Sequence, residues 1–202
     1  MHRRHFLTAA AILALTATAA TAQTTPPTRV RGTIAALDGN ALTVTSRTGE
    51  AIPIILNDPL TVAALKKVDL AAISANAYVG IATRTGADGK LTALEVLVFP
   101  EAARGASEGH YAWDLEPGSM MTNGTVTGAV TATAGRDLTV RYKDDSKTIA
   151  VPIDTPVVTP IPAERADLKP GAPVFMIATR NAEGKLAVSR ITVGKDGVAP
   201  PM

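Results

Sequence analysis

Residues 33–45 read TIAALDGNALTVT and predict a β-hairpin. Apolar and polar residues largely alternate on both sides of Asp38-Gly39-Asn40, and alternation with period two is typical of half-buried strands. A turn run of this kind between two such segments is a strong tight-turn signal. The same reasoning predicts hairpins around residues 86–89 and 181–184, where a glycine again ends a short polar run. Together these signals predict an all-β fold.

The hairpin is part of a pattern that the chain repeats. Residues 30–34, 42–44, 52–54, 58–59, 81–84 and 89–91 match, in the same order, residues 122–126, 138–140, 151–153, 154–156, 177–180 and 184–186. The longest identity is Ile-Ala-Thr-Arg. Six matched landmarks in one order predict an internal duplication.

One segment in each copy departs from period two. Residues 62–73 place Val62, Leu65 and Val68 on one face of a predicted helix, and residues 162–168 form a shorter counterpart. Five strands with a helix between the third and fourth are the layout of the OB-fold, a small, partly open Greek-key barrel. We therefore expect an all-β protein of two tandem OB-like barrels, each with a short helix between strands three and four.

The repeat also predicts the boundaries. We expect the first OB-like domain at residues 29–100 and the second at residues 122–195, with a linker at residues 101–121 between them. Residues 23–28 are expected to form a flexible N-terminal segment, and residues 196–202 a disordered tail.

The first 22 residues have the features of a signal peptide. A basic start is followed by an apolar run and by Ala20-Thr21-Ala22, a small-residue cleavage site. Arg3-Arg4 also fits the twin-arginine signature, so both that route and ordinary secretion stay open. Either route predicts a periplasmic or secreted bacterial protein. No later segment is apolar over the roughly 20 residues that a spanning helix needs.

The composition excludes several function classes. The chain has no cysteine, which rules out disulfides, thiolate metal sites and catalytic thiols. It has 20 basic and 18 acidic residues, and because Arg3 and Arg4 leave with the signal peptide, the mature chain is close to neutral. A neutral chain with few aromatic residues lacks the positive groove and stacking platform that single-stranded nucleic acid requires. We therefore expect no nucleic-acid partner.

The predicted linker concentrates rare residue types. It holds the only histidine outside the signal peptide, the only tryptophan and two methionines, beside several carboxylates. An imidazole with thioethers suits copper, and an imidazole with carboxylates suits a harder divalent ion. The candidate metal ligands are Glu108, His110, Met120 and Met121. The alternative, which we favour, is that the aromatic residues and methionines pack the linker onto a barrel.

Catalytic templates find little support in the sequence. There is no Gly-x-Ser-x-Gly elbow for a Ser-His-Asp triad, and the Gly-Lys pairs lack the rest of a phosphate-binding loop. We expect a protein that is not an enzyme and that needs no cofactor, although copper or another divalent metal stays open. Tyr111, Trp113 and Asp114 are the candidate residues for binding a ligand or partner.

The motifs also carry a family resemblance. Gly-Thr-Val at residues 124–126, Leu-Thr-Val at residues 138–140, Leu-Lys-x-Gly at residues 168–171 and Asp-Gly-Lys-Leu at residues 88–91 resemble the exported bacterial domain of unknown function 5666, here in tandem. The first copy departs from it at residues 73–77. The resemblance implies a non-catalytic, OB-like β domain of the periplasm or cell surface and transfers no catalytic residue.

The expected function follows from these points. We expect an exported, non-enzymatic binding or adaptor protein of the bacterial cell envelope, with an envelope protein or a small ligand as its partner. Two alternatives stay open: a periplasmic metal-handling accessory protein that uses His110 and the linker methionines, and a purely structural envelope protein. The sequence leaves the oligomeric state unknown.

Overall fold

The structure is a computed structural model that describes residues 26–132 and 135–200. In this part of the chain β-strands dominate, and the remaining regular structure is three short 3-10 turns. The strands are β1 (Thr28–Asp38), β2 (Ala41–Ser46), β3 (Ala51–Lys67), β4 (Tyr78–Thr85), β5 (Leu91–Val98), β6 (Gly109–Ala112), β7 (Met120–Ala132), β8 (Gly135–Tyr142), β9 (Asp145–Pro152), β10 (Val157–Pro162), β11 (Pro173–Arg180) and β12 (Leu186–Val193). The all-β prediction is confirmed.

The predicted hairpins are present. β1 and β2 pair antiparallel across Gly39, which has a φ of 51°. β4 pairs with β5 and β11 with β12 in the same way, and Gly89 and Gly184 have φ values of 77° and 76° in their turns. Only glycine adopts such left-handed backbone without steric cost, which is why these polar, glycine-ended runs mark the turns.

Five strands close into a barrel. β1 pairs with β2 on one edge and with β11 on the other, β2 pairs with β3, and the parallel pairing of β3 with β12 completes the ring. Alternate side chains of these strands point inwards and are almost completely buried. The core of the barrel includes Val30, Ile34, Leu42, Val44, Ile54, Leu56, Met176 and Ile191.

The strand pairing differs from the tandem arrangement predicted for residues 29–100 and 122–195. The first three strands close their barrel with β11 and β12, the last two strands of the chain, and not with β4 and β5. The physical reason is the length of β3, which has 17 residues and therefore extends beyond the barrel. Its second half pairs antiparallel with β10, from Ala63↔Pro162 to Lys67↔Val158, so the chain leaves the barrel before β4 begins.

The other strands form a second group around their own apolar core. β4 pairs with β5 and β7, and β7, β8 and β9 follow one another as an antiparallel meander. β5 pairs in parallel with β9 through Leu91↔Ile149 and Thr92↔Ala150. We call β4, β5, β7, β8 and β9 together the β4–β9 group. Its buried residues include Val79, Ile81, Val96, Val126, Leu138, Val140 and Ile149.

The helix predicted for residues 62–73 is wrong. β3 continues to Lys67, and only a 3-10 turn at Leu70–Ala72 follows it; the counterpart at residues 162–168 is likewise a single turn, at Arg165–Asp167. Val62 lies in the barrel core, Leu65 between the barrel and the β4–β9 group, and Val68 against the core of that group. The three-residue spacing therefore reflects three packing environments and not one helical face.

A third apolar cluster joins the barrel to the β4–β9 group. Its buried members are Leu65, Leu97, Val158 and Phe175, and Phe99, Trp113 and Val198 pack against them. We call these residues the junction cluster. Val198 packs against this cluster and forms an isolated β-bridge with Lys195, within the segment predicted as a tail.

Two further boundaries change. The predicted linker contains β6, and β7 begins at Met120 rather than at residue 122; β1 likewise begins at Thr28, inside the predicted flexible segment. The predicted signal peptide, residues 1–22, lies outside the described residues.

Candidate functional site

Alternation along β1 places two arginines on the outer surface of the barrel. Val30 points into the core, so its neighbours Arg29 and Arg31 point away from it. β2 ends at Ser46, where a turn closed by a Ser46 N–H···O=C Glu50 hydrogen bond carries Arg47 beyond the end of the strand. We call Arg29, Arg31 and Arg47 the arginine cluster.

Trp113 lies against this cluster. The Arg29 guanidinium is 4.1 Å from the centre of the indole ring and the Arg31 guanidinium 5.4 Å, both within the range of a cation–π interaction. The indole also packs against Phe175 and Tyr111, each with 6.2 Å between ring centres. Trp113 thus connects the segment after β6 to the outer surface of the barrel.

Asp114 is the carboxylate that the arginine cluster surrounds. Its Oδ1 is 2.7 Å from Arg31 Nη1 and 4.0 Å from Arg29 Nη1. Arg47 donates hydrogen bonds of 3.2 Å to the backbone oxygens of Asp114 and Leu115. Two guanidinium groups therefore face one half-exposed carboxylate and a third binds the adjacent backbone oxygens, which leaves an excess of positive charge at this surface.

Several polar atoms near the junction cluster are buried without a partner. Among the described residues, Arg31 Nε and Nη2, Trp113 Nε1 and both carboxylate oxygens of Glu95 accept or donate no hydrogen bond. Burial lowers the pKa of Arg31, against the opposing effect of its hydrogen bond with Asp114. Burial also raises the pKa of Glu95 to about 8, against the opposing charge of Arg31. Unpartnered buried polar groups are costly, so this site stores unfavourable free energy.

A groove of about 230 Å³ runs over the barrel beside the arginine cluster. Arginine side chains, hydroxyl-bearing side chains and Gly32 line it. The lining residues are Arg31, Gly32, Thr33, Thr45, Ser46, Arg47, Pro173, Val174 and Pro200. The groove is open and cationic, which suits an acidic ligand more than an apolar one.

The residues predicted as metal ligands are spread over two faces of β6 and β7. His110 lies opposite Thr122, and its Nδ1 is 2.9 Å from the Thr122 hydroxyl. Met121 lies opposite Tyr111, so strand alternation puts it on the face away from His110, while Met120 shares the face of His110. Glu108 instead accepts a 3.0 Å hydrogen bond from the backbone N–H of Lys143.

The surroundings of His110 are those of a packed side chain. Its ring stacks on Tyr142 with 6.1 Å between ring centres. Burial lowers its pKa, and Lys147 lowers it further, whereas Asp145 acts in the opposite direction. Within residues 26–132 and 135–200, no three His, Asp or Glu side chains come together in the way that would hold a metal ion.

The structure brings the three predicted binding residues together. Tyr111 contacts Trp113, its hydroxyl accepts a 3.2 Å hydrogen bond from Asn123, and Asp114 follows in the chain. Sequence reasoning missed the arginine cluster and Glu95. Alternating arginines at residues 29 and 31, and a carboxylate inside the apolar strand β5, were the signals that could have found them.

Comparison of the chain with known protein families, with curated proteins and with solved structures gives no match. The resemblance to the domain of unknown function 5666 therefore stays a prediction. No helix in the described part of the chain combines the length and the apolar character needed to cross a membrane.

Proposed function

We propose that this chain is an exported, non-enzymatic binding or adaptor protein of the bacterial cell envelope that takes an acidic partner at the arginine cluster. In this proposal the chain arose by duplication of an OB-like unit, and the two copies exchange their last two strands. The surface around Trp113 is then the place where the partner binds.

The observation that carries the proposal is the excess of guanidinium groups around Asp114. Arginine binds carboxylate and phosphate groups through paired N–H donors, and an excess of such donors at a groove is a recurring means of recognising acidic ligands. Arg31 is held in place by its contacts with Trp113 and Phe175, so its positive charge is fixed beside the groove before an anion arrives.

The non-enzymatic part of the proposal is supported by the position of His110. Its Nδ1 contacts the Thr122 hydroxyl, and Thr122 is fully buried between β4 and β6, so this hydroxyl is closed to a substrate. A general base must reach both its nucleophile and the substrate to act.

Trp113 provides a direct test, because it is the only tryptophan in the chain. We would titrate the chain from Gln23 to Met202 with an oligoglutamate peptide and follow indole emission, with oligolysine as the charge control. We expect a saturable change with oligoglutamate that weakens as salt is added, since exposed charges are screened. Arg47→Ala should weaken the binding about tenfold.

Arg84→Ala is the matched control, because it removes an exposed arginine on β4 outside the cluster. It should bind oligoglutamate as the parent chain does. The arginine cluster is not a binding surface if oligoglutamate leaves the indole emission unchanged. The same conclusion follows if Arg47→Ala and Arg84→Ala weaken oligoglutamate binding equally. A purely structural envelope protein would give that result.

A further inference from the structure

The edge of β1 next to the arginine cluster pairs with no strand of the described chain. Thr28–Arg31 pair with Ala178–Phe175 of β11 on one side. On the other side the pairing with β2 begins only at Gly32↔Ser46, so in the described part of the chain these four residues have no strand there. Among the described residues, no backbone hydrogen bond outside the ladders involves them either.

The backbone groups that face this edge can be assigned. The Ile34 N–H donates to Ala172 O at 2.9 Å, on the side of β11. In an antiparallel ladder alternate residues bond to the same side, so Thr28, Val30 and Gly32 bond towards β11. The N–H and C=O groups of Arg29 and Arg31 therefore point to the open edge.

The corresponding edge of β7 is filled by β6. Gly124 of β7 matches Gly32 of β1 in the repeated pattern, and both approach the next strand so closely that a Cβ would meet a carbonyl oxygen, at 2.3 Å for Gly124 and 2.0 Å for Gly32. β7 pairs with β8 only from Thr125 onwards. Before that point, Met121 and Asn123 pair with β6.

The hydrogen bonds confirm that the two edges are equivalent. The Val126 N–H donates to Ala77 O, on the β4 side, as Ile34 does on the β11 side. Met121 and Asn123 therefore direct their backbone groups to β6, where they lie opposite Tyr111 and Gly109. The molecule thus contains an example of a strand added at the position that is open on β1.

We infer that the free edge of β1 takes an extended acidic peptide of a partner protein, which adds as an antiparallel strand beside Arg29 and Arg31. Backbone pairing supplies affinity in such strand addition, and side-chain contacts supply specificity. The inference rests on the proposed function and names the partner class and the binding mode. Carboxylates on the added strand would meet the arginine cluster, which flanks this edge from both β1 and the turn after β2.

Charge argues against a second copy of the chain as the occupant. If β1 of one molecule paired with β1 of another, Arg29 and Arg31 would face their own counterparts across the new ladder. Like charges directly opposite each other destabilise a strand pair. An acidic peptide replaces that repulsion with attraction.

The probe for the test is a fluorescein-labelled peptide with the sequence of residues 108–114, which includes β6 and ends with Asp114. Fluorescence anisotropy would report its binding to the chain from Gln23 to Met202. We expect saturable binding and slower hydrogen exchange at the Arg29 and Arg31 amides, because strand addition would bond these two amides.

N-methylation of the peptide separates strand addition from charge attraction. On β6 the Tyr111 backbone groups face β7, whereas those of His110 face away. N-methylation at the tyrosine should weaken binding about tenfold or more, and the matched peptide methylated at the histidine should bind nearly as the parent does. Replacing the two side-chain carboxylates of the peptide, at Glu108 and Asp114, with amides should also weaken binding several-fold.

The outcomes separate this inference from the proposed function. If both methylated peptides bind equally well, or if oligoglutamate binds while this peptide does not, strand addition is wrong and binding by the arginine cluster stands. If neither ligand binds, both proposals fail. If light scattering shows a dimer without peptide and the Arg29 and Arg31 amides are already protected, the occupant is a second copy and the inference is overturned.

Discussion

Glu95 lies in the middle of β5, where its carboxylate is 1% exposed and accepts no hydrogen bond from the described residues. Successive side chains of β5 point alternately to the core of the β4–β9 group and to the junction cluster. Glu95 points to the junction cluster, as Leu97 does. A charged carboxylate in such a place is unfavourable, so the folded chain favours the protonated form.

Glu95→Gln tests this directly. The pKa of Glu95 is raised in the folded chain from its usual 4.5 to about 8, so the folded state binds a proton that the unfolded state releases. This contribution to stability is fully present below pH 4.5 and is lost as the pH rises to about 8. The free energy of unfolding of the parent chain should therefore fall over this range, by on the order of a few kcal/mol, relative to the variant.

Urea unfolding at several pH values would measure the difference between the two chains. Other titrating groups, such as His110, are common to both and cancel in the comparison. If the variant is instead the less stable chain throughout neutral pH, Glu95 is ionised and stabilised by Arg31, and burial is not the dominant effect.

His110 allows a second residue-scale prediction. Its Nδ1 contacts Thr122 and its ring packs on Tyr142, and the nearby thioether Met121 is on the opposite face of the strand. We expect copper to quench Trp113 emission only weakly and without saturation at micromolar concentrations. Saturable quenching that disappears in His110→Ala would contradict this and restore the metal-handling alternative.

At the scale of elements, the close approach of β1 to β2 and of β7 to β8 depends on two glycines. A Cβ at Gly32 would lie 2.0 Å from Thr45 O, and one at Gly124 would lie 2.3 Å from Arg141 O. Backbone cannot move aside as a side chain can. Gly32→Ala and Gly124→Ala should each lower the free energy of unfolding by about 2 kcal/mol or more.

Gly128→Ala is the control for this prediction, because its Cβ would meet Thr139 at 3.5 Å, an ordinary contact distance. Chemical denaturation of the three variants would rank them. If Gly32→Ala is no less stable than Gly128→Ala, the strands are able to separate at this point and the glycine is not required for the close approach.

At the scale of the whole molecule, β1 pairs with β11 although 134 residues, from Gly39 to Ala172, lie between the two strands. The absence of cysteine lets an engineered disulfide test this pairing without competing thiols. Arg29 and Ile177 lie opposite each other in a pair without mutual backbone hydrogen bonds, where Cα atoms are closest.

The variant Arg29→Cys/Ile177→Cys should form an intramolecular disulfide under mild oxidation, seen as faster migration on a non-reducing gel. Arg29→Cys/Ile81→Cys is the comparison, since Ile81 is the position in β4 that the repeat matches to Ile177. If that second pair crosslinks within one chain and the first does not, each copy closes its own barrel, as the sequence alone suggested.

The candidate site was only partly predictable from the sequence. Tyr111, Trp113 and Asp114 stood out because rare residue types cluster there. Arg29, Arg31 and Arg47 did not, because a surface arginine is ordinary in sequence and these three meet Asp114 only through long-range packing. The metal hypothesis joined residues that are close in sequence, whereas strand alternation places Met121 and His110 on opposite faces.

The sequence by itself determined the predicted hairpins, their glycine turns and the all-β class, because alternation and left-handed glycines are properties of a few neighbouring residues. Only the tertiary structure decided which strands close together. The matched segments of the two halves are similar in sequence, so local pattern does not distinguish β4 and β5 from β11 and β12 as partners of β1 and β3. The extended β3 settles the choice, since it carries the chain past the barrel and leaves that position to β11 and β12.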